Sequence, residues 1–137
     1  MIGKARCYRD RGQIDNALST FVQASQTAKK KNDLNGRIEA INGIIMIKPN
    51  NYTAYYDRGV SHFALKNYSK ASDDFQTVVS LDKRHLKAYY YLGDSYYANN
   101  QYNYALLAYQ GAEELHFADP KAQVQIAKTY YVLGDFK

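Results

Sequence analysis

Three histidines, one cysteine and two pairs of adjacent acids are the side chains of this 137-residue chain with the reactivity for catalysis or metal binding. His62, His85 and His116 do not share a helix turn at the four-residue spacing of a zinc site. Cys7 stands beside Arg6 and Arg9, and neighbouring cations favour a thiolate, yet no histidine accompanies it as a base. Asp73–Asp74 and Glu113–Glu114 fall on stretches that read as helix. Consecutive helical side chains diverge by about 100°, so neither pair converges on one atom. A solvated face, or an ion pair of Asp73 or Asp74 with Arg58, is the favoured reading. No glycine-rich phosphate loop is present. The chain reads as a non-enzyme with no metal and no cofactor.

The remaining chemistry on offer is aromatic. The stretch "AYYYLGDSYYANNQYNYALLAYQ" (88–110) holds eight of the 15 tyrosines. Stacking on single-stranded nucleic acid needs aromatics interleaved with a continuous basic track. The charges are placed otherwise. Residues 1–51 hold nine Lys or Arg against four acids, while residues 52–137 hold nine of each sign. Basic and aromatic regions barely overlap, so nucleic acid is disfavoured as a partner. The alternative use of Arg6, Arg9, Arg11 and Lys29–Lys31 is contact with phosphates or an acidic membrane surface. Nothing approaches the roughly 18 uninterrupted apolar residues of a membrane span, and Ile44–Ile47 is far too short. The N-terminal residues lack the apolar core of a secretion signal. One cysteine excludes an internal disulfide and fits a reducing, cytoplasmic setting.

These side chains must be positioned by something, and the chain repeats itself every 34 residues. Tyr55 falls on Tyr89, and Gly59 falls on Gly93 and then Ala127. His62 falls on Tyr96 and Tyr130, Ala71 on Ala105, and Phe75 on Tyr109. Self-similarity at such a period marks a stacked-repeat architecture. Within one repeat, Tyr89, Leu92, Gly93 and Tyr96 line one helix face. Asn99–Asn100 ends that helix, and Tyr102, Ala105, Tyr109 and Ala112 line a second. Two short antiparallel helices cannot bury their apolar faces alone, so hairpins must stack.

Here the residues resemble the tetratricopeptide repeat, with Tyr89-x2-Leu92-Gly93-x2-Tyr96 followed by Ala105-x3-Tyr109. The preceding unit reads Tyr55-x2-Arg58-Gly59-x2-His62 and Ala71-x3-Phe75, with Tyr in place of the family's Trp and Arg58 in place of its Leu. Pro49 and Pro120 sit in turns between units. The resemblance implies an all-α fold of antiparallel helix hairpins stacked into a right-handed superhelix. The expected organisation is an irregular unit at 1–33, with helices at 1–11 and 14–30, and an extra helix at 34–51. Repeats follow at 52–85 and 86–119, then the first helix of a further repeat at 120–137. The chain reads as a fragment of a longer array.

In this family the first helices of the hairpins line a groove that accepts an extended peptide or a helix. The resemblance places Thr53, Tyr56, Val60 and Phe63 on that face, then Lys87, Tyr90, Asp94 and Tyr97, then Lys121, Val124, Lys128 and Tyr131. It implies a scaffold or adaptor whose partner is a protein segment, acidic and hydrophobic to match the lysines and rings. Tyr90 and Tyr97 are the residues on which binding is expected to depend, while Tyr91 and Tyr104 have no assigned role. Chaperone-tail-binding members hold a terminal carboxylate with Lys, Asn and Arg on these helices. Tyr56, Val60, Tyr90 and Asp94 stand there instead, so that ligand is not expected. The stretch 99–115 is also similar to the small secretion chaperones of bacteria, which hold an extended substrate, and this is the alternative role.

Overall fold

Among the described residues, four backbone positions lie in the left-handed region: Asn32 (φ 55°), Lys66 (φ 63°), Asn100 (φ 62°) and Gly134 (φ 77°). They are spaced by the 34-residue period seen in the sequence. The computed structural model describes residues 14–115 and 120–134, and the described residues form seven helices and no strand. These are α1 (Ile14–Lys30), α2 (Leu34–Ile47), α3 (Tyr52–Ala64), α4 (Tyr68–Leu81), α5 (Leu86–Ala98), α6 (Tyr102–Leu115) and α7 (Pro120–Leu133). Asn32, Lys66 and Asn100 each end the first helix of a hairpin, and Gly134 ends α7. After α3, the Asn67 amide donates to the His62 carbonyl (2.8 Å) and the Lys66 amide to the Phe63 carbonyl (3.0 Å). The same pair of bonds recurs after α1 and α5, the closing geometry that satisfies the last orphan carbonyls of a helix. Asn at positions 32 and 100 tolerates this conformation better than Lys66 does.

Helix starts are also read from side chains. Asp33 accepts from the Gly36 amide (2.9 Å), Asn51 from the Ala54 amide (3.4 Å), and His85 Nδ1 from the Ala88 amide (3.1 Å). His85 is thus a helix cap, not a ligand in waiting. The chain pairs α1 with α2, α3 with α4 and α5 with α6, stacks each pair on the next, and lays α7 on α6.

Two contacts of one kind hold the hairpins closed. In the first, a ring from the second helix lies against a glycine of the first. A Cβ at Gly59 would stand 2.9 Å from Phe75 Cε1, and one at Gly93 only 2.5 Å from Tyr109 Cε1. In the second, a ring from the first helix lies against a glycine of the second. A Cβ at Gly43 would stand 2.3 Å from Phe21 Cε1, and one at Gly111 2.8 Å from Tyr89 Cε1. Phe21, Phe75 and Tyr109 are fully buried.

The N-terminal third differs from expectation. Helix α2 is not an added helix at 34–51: it is the second helix of a hairpin whose first helix is α1. The cause is a local mimic. Ala17-x3-Phe21 copies the Ala71-x3-Phe75 spacing of a second helix, whereas Phe21 sits at the place of Tyr55 and Tyr89, on a first helix. The helix expected at 1–11 lies outside the described residues.

The Gly93–Tyr109 contact gives a direct test. Alanine in an open helix interior gains about 1 kcal/mol over glycine. Here the added methyl must displace a buried ring, and overpacking costs about 1–3 kcal/mol. Gly93→Ala should therefore lower the urea unfolding midpoint; a raised midpoint would show that the ring has room to give.

Candidate partner-binding groove

The first helices α3, α5 and α7 bring Tyr56, Lys87, Tyr90, Asp94 and Lys121 together around one cleft of about 290 Å³, with Tyr91 as a sixth wall residue. Repetition of sequence explains the convergence, since equivalent positions on stacked helices share a face. Within the cleft the expected residues divide by burial. Tyr90 is only 7% exposed and packs among Ala105, Tyr109, Ala112 and Ala122. Lys121 Nζ lies 4.6 Å from the centre of the Tyr90 ring, a cation–π contact. Lys87, Lys121 and Lys128 are exposed, and Tyr131 is 71% exposed.

Tyr56, Val60 and Phe63 pack partly against the core. Tyr56 meets Phe75 edge-on at 5.9 Å and lies over His85 at 4.8 Å. Burial, then Tyr91 and Asp57, pushes the Tyr56 hydroxyl above its ordinary range. Phe63 meets Tyr68 at 5.4 Å, and Tyr97 meets Tyr102 at 5.1 Å, both edge-on. The centre of the aromatic wall is Tyr91, for which the sequence suggested no role. It stacks on Phe75 (5.1 Å, 15° between planes) and touches Tyr56 and Phe63. The available signal was its repeat position. Gln125, 34 residues on, likewise reaches back to the preceding hairpin and donates to the Tyr109 hydroxyl oxygen (3.1 Å) and to Asp94 (3.1 Å).

Asp94 is therefore not a free groove acid. Its Oδ1 accepts from the Tyr109 hydroxyl as well as from Gln125, so it ties α5 to α6 and α7. Burial, with the Asp94 bond next, drives the Tyr109 hydroxyl far above the usual tyrosine range.

Arg58 has the matching role in the preceding hairpin. Its Nε and Nη2 grip Asp74 at 2.9 and 2.6 Å, and Nη1 donates to Asn42 on α2 at 2.9 Å. The bond to buried Asp74, ahead of an opposing burial effect, raises the Arg58 pKa. The ion pair foreseen from sequence is thus with Asp74, and Asp73 is exposed. His62 stands beside this pair with its Nδ1 covered and unbonded. Burial lowers its pKa, with Arg58 and Lys70 adding to the effect and Asp74 opposing it.

No group of three potential metal ligands occurs among the described residues, and none of their helices is long and apolar enough to cross a membrane. Cys7 and His116 lie outside the described residues.

Residues 52–85 match the family model of the tetratricopeptide repeat. The family pattern thus occupies 52–85, and hairpins of the same build are stacked on either side of it. No curated protein matches it. Among solved structures, the first repeat domain of Spaghetti (RPAP3) bound to the HSP90 peptide SRMEEVD is similar at TM-score 0.76 and 20% identity, covering 85% of this chain and 93% of that one. The Arabidopsis OM64 repeat domain gives TM-score 0.74 at 20% identity, covering 85% and 97%. The crystal structure of MamA gives 0.79 at 21%, covering 96% and 85%. Likeness at this level of identity shows the fold.

His62 carries a pH prediction. The folded imidazole titrates below its free value, so the unfolded chain binds more protons once pH falls below about 6.5. Stability is then lost on the acid side and untouched above it. His62→Tyr installs the residue found at Tyr96 and Tyr130 and removes this component. Between about pH 7.5 and 5 the variant's unfolding midpoint should fall less than that of the unchanged protein. Equal falls would mean that His62 accepts its proton freely in the fold.

Proposed function

We propose that this protein is an interaction scaffold that holds an acidic, partly apolar peptide segment of a partner protein along the first-helix face of α3, α5 and α7, and that it performs no catalysis. The observation that carries the reading is the cleft itself: rigid aromatic walls from Tyr56, Tyr90 and Tyr91, rimmed by exposed Lys87 and by Lys121. Aromatic walls fixed by their own packing offer contact area at little entropic cost. Lysines at the rim steer an acidic ligand and set its arrival rate. The RPAP3 neighbour supports the reading, because a similar fold there carries the peptide SRMEEVD, itself rich in acids. Val60, Phe63 and Tyr97 extend the apolar wall, while Lys128 and Tyr131 extend the face along α7.

Burial changes which substitutions test the groove. Tyr90→Ala would open the core, so the informative changes lie at the exposed lysines. Seven-residue peptides selected from a random display library on the full chain should bind Lys87→Glu/Lys128→Glu about tenfold more weakly, through lost charge complementarity. Circular dichroism of the double variant should be unchanged. Undiminished binding would move the ligand off this face, and failure to select any peptide would remove the reading.

A further inference from the structure

The first hairpin departs from the other two at three linked positions. Where Gly59 and Gly93 provide the notch, α1 has Ser25. Where Phe75 and Tyr109 fill that notch, α2 has Ile41. Where Ala71 and Ala105 stand fully buried, α2 has Arg37. This hairpin keeps one ring contact, Phe21 on Gly43, and lacks the other. The junction with the next hairpin is short of volume as well. Tyr91 and Gln125 reach back onto Phe75 and Tyr109 at the later junctions. Asp57, their counterpart, reaches back to Arg37 instead, at 3.6 Å.

The missing ring leaves a hole. A cavity of about 370 Å³ opens between α1, α2 and α3, and Ser25, Arg37, Ile41 and Asp57 all line it. Its other walls include apolar Val22 and Ile44 and the cations Lys29 and Lys48. Three cations thus face one carboxylate. That carboxylate is itself compromised: burial raises the Asp57 pKa against the opposing pull of Arg37 and Lys29. Arg37 is under-satisfied too. Asp57 is its one acidic partner among the described residues, beyond direct hydrogen-bond distance, and its Nε is covered with no acceptor.

We propose that this cavity is an anchoring subsite for an acidic residue of the bound peptide. The carboxylate is held by Arg37, Lys29 and Lys48, and an adjoining apolar side chain sits against Val22, Ile41 and Ile44. The inference rests on the peptide-binding reading above and extends it to the α1–α3 junction. The occupant follows from charge complementarity: a net positive cavity with an apolar floor favours an anion that brings hydrocarbon with it. A guanidinium lacking a close carboxylate gains more from such a ligand than a fully paired one does. The extension of this space down to the hairpin interior is particular to the first hairpin among those described, because fully buried Phe75 and Tyr109 stand in the others where Ile41 stands here.

The test closes the hole with the protein's own design. Ser25→Gly/Arg37→Ala/Ile41→Phe gives α1 and α2 the residues carried by the later hairpins. It should keep or raise the unfolding midpoint while weakening peptides from the display library about tenfold, as should Lys29→Ala/Lys48→Ala, whose side chains are exposed. Peptides whose Glu and Asp are replaced by Gln and Asn should show no difference between these variants and the unchanged chain. Selected peptides that bind all proteins equally, yet lose affinity on Lys87→Glu/Lys128→Glu, would overturn the subsite and leave the groove standing. Peptides without acids, or no peptides at all, would also overturn it, the last case taking the groove reading with it. Retention of a single-stranded oligonucleotide through the same lysines, in place of peptide, would assign the cavity to phosphate and overturn it as well.

Discussion

A ring pressed into the notch of a glycine is the contact on which the rest of this structure depends. With a methyl at Gly93 the Tyr109 ring would have to move, and with it α6. Helices can approach this closely only where one contributes no side chain, and packing at such density leaves little slack. The consequence reaches the surface. Because α5 and α6 are locked at one distance and rotation, Tyr90 turns inward while Lys87 turns outward. The cleft is thus a by-product of how the hairpin closes. The polar ties then fix one hairpin to the next: Arg58 spans α2, α3 and α4, and Asp94 spans α5, α6 and α7. Both are embedded pairs whose loss would strand a partly buried charge, so they specify the stacking more than they strengthen it.

Much of this was legible in the chain. The 34-residue period predicted hairpins, and the left-handed turn residues, the caps at Asn51 and His85 and the ring-glycine pairs at Gly59 and Gly93 all follow that period. Spacing is readable because it is one-dimensional: a position on a helix face follows from counting. The N-terminal third was misread for the same reason. Ala17-x3-Phe21 satisfies a count that two different helices can satisfy, and only the partner, Gly43, shows which ring contact Phe21 makes.

Burial was the less legible quantity. Tyr90 and Tyr91 are neighbours in sequence, and counting assigns one to the groove and the other to an edge. In the fold Tyr90 is mostly enclosed, and Tyr91 is the centre of an aromatic wall joining α3, α4 and α5. A tyrosine can serve both faces, since its ring packs while its hydroxyl reaches water. Helical spacing gives direction around an axis; it does not give the distance to the next hairpin, which decides whether that direction is enclosed.

The same overlap constrains how a partner can be gripped. Where walls of a cleft are also core, as with Tyr56, Tyr90 and Tyr91, the surface is preorganised and little side-chain freedom would be lost on binding. It is also hard to vary, because a change of ring size is felt in the packing behind it. Exposed lysines carry no such burden. Under the proposed reading, selectivity would therefore rest on charges at the rim, and on the one junction where a core ring is absent. Ser25, Arg37 and Ile41 depart together from the pattern that closes the other hairpins, and together they line a cavity instead of filling it. A repeat array can open a distinct cavity in this way, by omitting one packing contact while a neighbouring one, here Phe21 on Gly43, is kept.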